Sequence, residues 1–182
     1  KKLVNNVEEN ITIATISAQW TTIAIPVQIS EDVITILPID KGVPKLFCDF
    51  PLIGTEVFSF PVLINNPNFN PTDPRDGVFL TKTERYNKDI DENQKIMQQA
   101  IDLYYELLEF ASANKWENLH LLAKINNIPE MPEWLSKSYF NDTILKPIRE
   151  RLLHVKLVKN ASGDLKAILD EDDSIYMYFP YH

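Results

Sequence analysis

The chain has 182 residues, 45% of them hydrophobic, enough to bury one proper core, so disorder is not the default. Its 18 basic and 26 acidic side chains give a formal charge of −8, which repels a polyanion and argues against nucleic acid as a partner. With Cys48 as the one thiol no internal disulfide is possible, and no run approaches the roughly 20 apolar residues of a membrane span, so a soluble, cytoplasmic protein is expected.

Neither end reads as a natural terminus. The chain starts on Lys1 without an initiating Met and closes on the aromatic run Tyr176-Met177-Tyr178-Phe179, so it is expected to be an internal piece of something longer. From residue 11 to residue 39, Ile and Val alternate with Thr and Ala at the two-residue period of strands, which predicts three of them, over 11–16, 21–25 and 33–37. Pro26 and Pro38 cannot donate to a ladder and are expected at strand ends or on an edge. Two further apolar runs, 46–50 and 58–65, extend the sheet on either side of a turn at Gly54-Thr55-Glu56. Residues 65–77 concentrate Asn, Pro and Asp, the composition of an ordered loop.

A strong helix is predicted next, with Asp89 as its cap, Glu92 three residues on, and Ile96, Ala100, Leu103, Leu107 and Phe110 on one face as far as Asn114. A shorter helix is expected over 116–125, and a third from Pro132 or Asn141 to Leu153, begun or kinked by Pro147. The end reads as a hairpin, 155–158 and 165–169 around Asn160 to Asp164, followed by a strand over 175–179. The expected class is α+β: a mixed sheet of about five strands packed against helices, with a C-terminal helix and β-hairpin. The expected division is an α/β module over 1–128 and an extension over 129–182, packed on the same module.

The search for chemistry is mostly negative. Gly42, Gly54, Gly77 and Gly163 are too scattered to form any phosphate-cradling loop. Cys48, flanked by Phe47 and Phe50, reads as a small buried hydrophobe in preference to a nucleophile served by His120 or His154. His120, His154 and His182 lack partners at ligand spacing, so no metal is expected. Asp170-Glu171-Asp172-Asp173 reads as a solvated turn. Tyr104, Tyr105 and Phe110 read as core in preference to a partner-gripping face. Arg75, in Thr72-Asp73-Pro74-Arg75-Asp76-Gly77, has two readings: it pins its loop by pairing with Asp73 or Asp76, or it is displayed to an anion that a planar guanidinium suits.

The segment from Phe47 to Arg75 resembles sacsin and related bacterial proteins that carry an Hsp90-type ATPase domain. The residues carrying the likeness are Phe50-Pro51-Leu52, the Gly54-Thr55 turn, the strand Pro61-Val62-Leu63-Ile64-Asn65 with Asn66, then Phe69 and Arg75. Leu63 departs from the family's His, Asp76 from its second basic residue, and the turn has Gly before Thr. The resemblance implies a module like the middle segment of Hsp90-type ATPases, which follows the nucleotide domain and couples hydrolysis to rearrangement. On that basis the chain is non-catalytic and holds no cofactor. ATP with Mg belongs to the parent protein, a chaperone-like or defence-type ATPase, and the ATP-binding domain of the same polypeptide is the partner. Arg75 is the candidate phosphate sensor, with Lys41 and Lys45 as weaker ones. The competing expectation is an ATP-independent interaction or peptide-binding domain that holds protein clients on a sheet edge or an aromatic helix face.

Overall fold

A computed structural model describes residues 2–4, 7–9, 11–81, 87–160 and 162–169, with backbone alone for residues 2–4, 7–9 and 87. The strand over 175–179, the acidic run at 170–173 and His182 lie outside the described residues. The class is α+β with a mixed sheet. A short hairpin that the polar start gave no reason to expect, β1 (Lys2–Val4) with β2 (Val7–Glu9), precedes it. The β-branched region supplies β3 (Thr12–Ala18), β4 (Thr21–Ser30) and β5 (Val33–Ile36).

The sheet continues through β6 (Leu46–Cys48), β7 (Phe50–Pro51) and β8 (Leu63–Asn65), in the order β3-β4-β8-β6-β7. The β6–β8 pair is parallel and the other pairings are antiparallel. Strand β4 is the organiser. One of its edges is lined by β3, and the other is shared between β8, opposite residues 22–24, and β5, opposite residues 27–30.

Pro26 therefore lies inside the central strand and not at an end or edge, a correction with a simple cause. It occupies the gap where β4 changes neighbours, so no ladder bond needs its missing N–H, while its carbonyl still accepts from Leu37. Pro38 falls just past β5, as expected. The predicted strand over 58–65 forms only at 63–65. Pro61 cannot donate, and the Phe60 N–H turns back to the Phe58 carbonyl, so Phe58 and Phe60 enter the core from an irregular segment.

Helix α1 (Asn87–Ala113) packs across β3 and β4, setting Met97, Ala100, Ile101, Tyr104 and Leu108 into a core with Ile23, Ile25 and Val27. Its start differs from expectation, because Asp89 lies within the first turn and Glu92 accepts from Asn70 instead of closing a capping box. Phe110 is half exposed, set edge-on against Trp116, so it does not continue the buried stripe; Tyr104 is buried and Tyr105 lies partly covered beneath the Arg151 guanidinium.

The helix expected over 116–125 shrinks to a single 3₁₀ turn, Leu119–Leu121. Left-handed backbone at Lys115 and Asn118 interrupts it, and the Tyr104 hydroxyl takes the Leu122 carbonyl at 2.6 Å. Further on, α2 (Lys137–Tyr139) runs through a π segment, Phe140–Leu145, into α3 (Lys146–His154). Pro147 explains that widened turn, since a proline ring clashes with the carbonyl four residues back and lacks the N–H of the regular ladder. The hairpin β9 (Val158–Lys159) with β10 (Leu165–Lys166) closes through Asn160, whose side chain accepts from the Asp164 N–H.

Aromatic contacts tie these parts together. Phe58 stacks on Phe60 and meets Trp134 and Phe140, while Phe60 meets Tyr104 at 5.5 Å. Residues on both sides of position 128 thus share one buried cluster.

Two tyrosines give opposite expectations. The buried Tyr104 hydroxyl satisfies Leu122, whereas the buried Tyr139 hydroxyl has no partner among the described residues, and burial raises both well above the ordinary tyrosine range. Tyr104→Phe should cost about 1–3 kcal/mol by orphaning a buried carbonyl, and Tyr139→Phe should be neutral or slightly stabilising; urea unfolding of both variants checks the pair.

Candidate functional site

The motif residues between Phe47 and Arg75 are built around one frame. Strand β6 is bonded on one side by β8, through Ile64 N–H to the Lys45 carbonyl and Asn66 N–H to the Phe47 carbonyl. On its other side the chain doubles back, and Leu52 N–H reaches the Leu46 carbonyl. Thr55 locks this return: its fully buried hydroxyl accepts from the N–H groups of Lys45 and Leu46 and donates to the Leu52 carbonyl at 2.8 Å. Gly54 makes the approach possible, since its φ of 117° suits glycine and an added Cβ would lie 2.9 Å from the Asp76 carbonyl oxygen. Leu52 and Phe69 are buried beneath the frame, and Asn65 caps the sharp turn by accepting from Asp49 N–H.

Arg75 sits on a loop built on this frame. A bridge between Pro71 and Val78 closes the loop, and inside it the buried Thr72 accepts from Asp76 N–H and donates to the Asp76 carboxylate at 2.6 Å. Gly77 lies flat against Trp134, where an added Cβ would fall 2.3 Å from the indole. Below it Asn93, buried in α1, accepts from Asn70 N–H and donates to the carbonyls of Asn70 and Phe79, clamping both legs of the loop. The loop is thus held by hydrogen bonds and packing, with no Arg or Lys among the groups that hold it.

Arg75 itself is exposed with φ of 74°, and its guanidinium makes one long contact, 3.5 Å to the Cys48 carbonyl oxygen. Among the described residues no carboxylate lies within ion-pair distance of it. The reading in which Asp73 or Asp76 pairs with Arg75 is therefore corrected: Asp76 spends its carboxylate on Thr72.

Lys45, at the foot of β6, is half-buried, and desolvation lowers its ammonium to about 8, with no neighbouring charge offsetting that burial. Lys41 is exposed. Cys48 is partly buried with its thiol toward the Pro67 and Phe69 carbonyls, whereas His120 and His154 line a separate groove beside the β9–β10 hairpin. Among the described residues, no group of three or more His, Cys, Asp or Glu side chains is placed to hold a metal, and no helix is long and apolar enough to cross a membrane.

Three apolar side chains of the stretch between β6 and β8 are open to solvent, Phe50 73% and Ile53 64% exposed and Val57 half exposed. Sequence reasoning missed three supports of the site: Asn93, the Gly77–Trp134 contact, and the network in which Asn66 donates to Thr21 and Thr21 to Gln99. Asn93 carried a usable signal, because it interrupts the apolar stripe of α1 between Ile90 and Met97, where a polar residue needs a buried partner. No family model, no curated protein and no solved structure matches the chain.

Two outcomes follow from these contacts. Gly77→Ala should displace Trp134 and cost about 1–3 kcal/mol or more, read as a lower denaturation midpoint. Lys45→Met should stabilise the protein by on the order of 1–2 kcal/mol at pH 7, because the buried ammonium is carried there at a cost that solvent at its exposed side reduces. The sign is set by the lowered pKa. Between about pH 8 and the ordinary lysine value the unfolded chain binds more protons, so wild-type stability rises with pH across that window and the advantage of Lys45→Met fades. Thermal melts from pH 7 to 10.5 measure it.

Proposed function

We propose that this chain is a non-catalytic coupling module of a larger ATP-binding protein of the sacsin-like, Hsp90-type class, in which Arg75 reads the terminal phosphate held by a preceding nucleotide domain. The observation that carries the proposal is the exposed guanidinium of Arg75, without a carboxylate partner among the described residues, on a loop clamped by Asn93, Thr72 and Trp134. An arginine whose purpose is to pin its own loop takes the nearest carboxylate, whereas one that must meet an anion elsewhere is kept off it. A rigid base under such a charge avoids reorganisation when the phosphate arrives, the condition for electrostatic stabilisation of phosphoryl transfer. ATP and its Mg would be held by residues outside this chain. A chaperone-like or defence-related role for the parent protein belongs to the same proposal.

A second reading rests on the exposed Phe50, Ile53 and Val57, which suit an apolar partner and make this a protein-interaction module independent of ATP. One pair of variants in the full-length polypeptide separates the two. Arg75→Ala should lower ATP turnover by about 10²-fold or more with the fold intact, while Ile53→Asp leaves the chemical step in place. Unchanged turnover in Arg75→Ala removes the phosphate-sensing role. Loss of partner binding in Ile53→Asp, with no dependence on nucleotide, supports the second reading.

A further inference from the structure

The sheet has three edges, and the chain treats them differently. The outer strand β7 is two residues long and ends on Pro51, which cannot donate. The open side of β5 is covered by residue 117, whose N–H bonds the Ile34 carbonyl and whose carbonyl accepts from Ile36. Strand β3 is seven residues long and, among the described residues, has β4 as its only neighbour. It carries none of the usual protections: residues 11–30 contain no Asp, Glu, Lys or Arg, in a chain that is 24% charged, and β3 contains no Pro or Gly. An unblunted edge of this length is a ready template for another strand.

Its backbone orientation is fixed by the turn. Ala18 and Thr21 close a two-residue hairpin at Gln19-Trp20, so Ala18, Ile16, Ala14 and Thr12 bond to β4, and Ile13, Thr15 and Ser17 point their N–H and C=O groups outward. Pro26, opposite Ile13, agrees with this parity, since its carbonyl faces away from β3 toward Leu37.

We propose that β3 pairs antiparallel with the β3 of a second copy of this chain, about a two-fold axis at Thr15, joining two sheets into one. The sequence Thr12-Ile13-Ala14-Thr15-Ile16-Ser17-Ala18 is self-complementary in this register. Thr15 faces Thr15, Ile13 faces Ser17, and on the inner face the small Ala14 meets the larger Ile16, so side-chain parity is preserved on both faces. The three outward residues form about six hydrogen bonds, two per facing pair. This interface is independent of the phosphate-sensing role of Arg75.

Sedimentation from about 1 to 200 μM should show a dimer for the wild type, and Thr15→Pro should raise its dissociation constant about 30-fold or more, because the outward N–H it removes has no ladder partner among the described residues. Near-UV circular dichroism confirms that the variant is folded. Register is tested separately in a Cys48→Ser background with a short bis-methanethiosulfonate. Thr15→Cys should cross-link into dimers, while Ile13→Cys, whose counterpart is about 13 Å away in this pairing, should not. A monomeric wild type at 200 μM, including one that instead takes up an unrelated strand, overturns the proposal, and so does cross-linking that is equal at the two positions.

Discussion

One buried hydroxyl sets the geometry on which the candidate site depends. Thr55 accepts from two successive backbone N–H groups, Lys45 and Leu46, and donates to the Leu52 carbonyl, so the chain is turned back beside β6 before it crosses to β8. A parallel pair usually needs a crossover helix, and here the connection between β6 and β8 contains only the two-residue strand β7 and the 3₁₀ turn Thr55–Val57. The hydroxyl supplies locally what a helix would supply by packing. Without it, two backbone donors next to the fully buried Leu46 would be unpaired, a cost comparable with the whole contribution of an ordinary core side chain.

From that lock the rest follows in sequence. Gly54 approaches Asp76 because the turn is tight, Asp76 is thereby set against Thr72, and Arg75 is left facing outward between them. Asn93 and Trp134 then fix the loop from below, one from α1 and one from the segment that leads into the C-terminal helix. The positive charge is presented by a frame whose hydrogen bonds run among its own groups, the Asp76 carboxylate to Thr72 included, in a chain of net charge −8. That separation of the charge from nearby carboxylates is what distinguishes a display position from an ordinary surface ion pair.

The sequence made the regular parts visible because their periods are intrinsic. The alternation of Ile with Thr and Ala identifies β3, β4 and β5, and the 3.6-residue stripe through Ala100, Leu103 and Leu107 identifies α1 almost to its last residue. What it hid was set by tertiary partners. Pro26 is tolerated in a central strand only because β8 stops and β5 begins there, and the turn at 119–121 fails to become a helix because Tyr104 and two left-handed residues hold it otherwise. The same holds at the site. The position of Arg75 near Asp73 and Asp76 suggested an ion pair, which is absent among the described residues, and the Asp76 carboxylate instead accepts from Thr72, a residue with no obvious role in the linear pattern, at 2.6 Å.

Hydrogen exchange of the full-length polypeptide tests the proposed phosphate-sensing role most directly. If Arg75 meets the terminal phosphate, amides of residues 72–77 become protected with a non-hydrolysable ATP analogue and return to the nucleotide-free rate with ADP, while the Lys45 and Leu46 amides stay protected throughout. Equal exchange at residues 72–77 with the analogue, with ADP and without nucleotide contradicts that role.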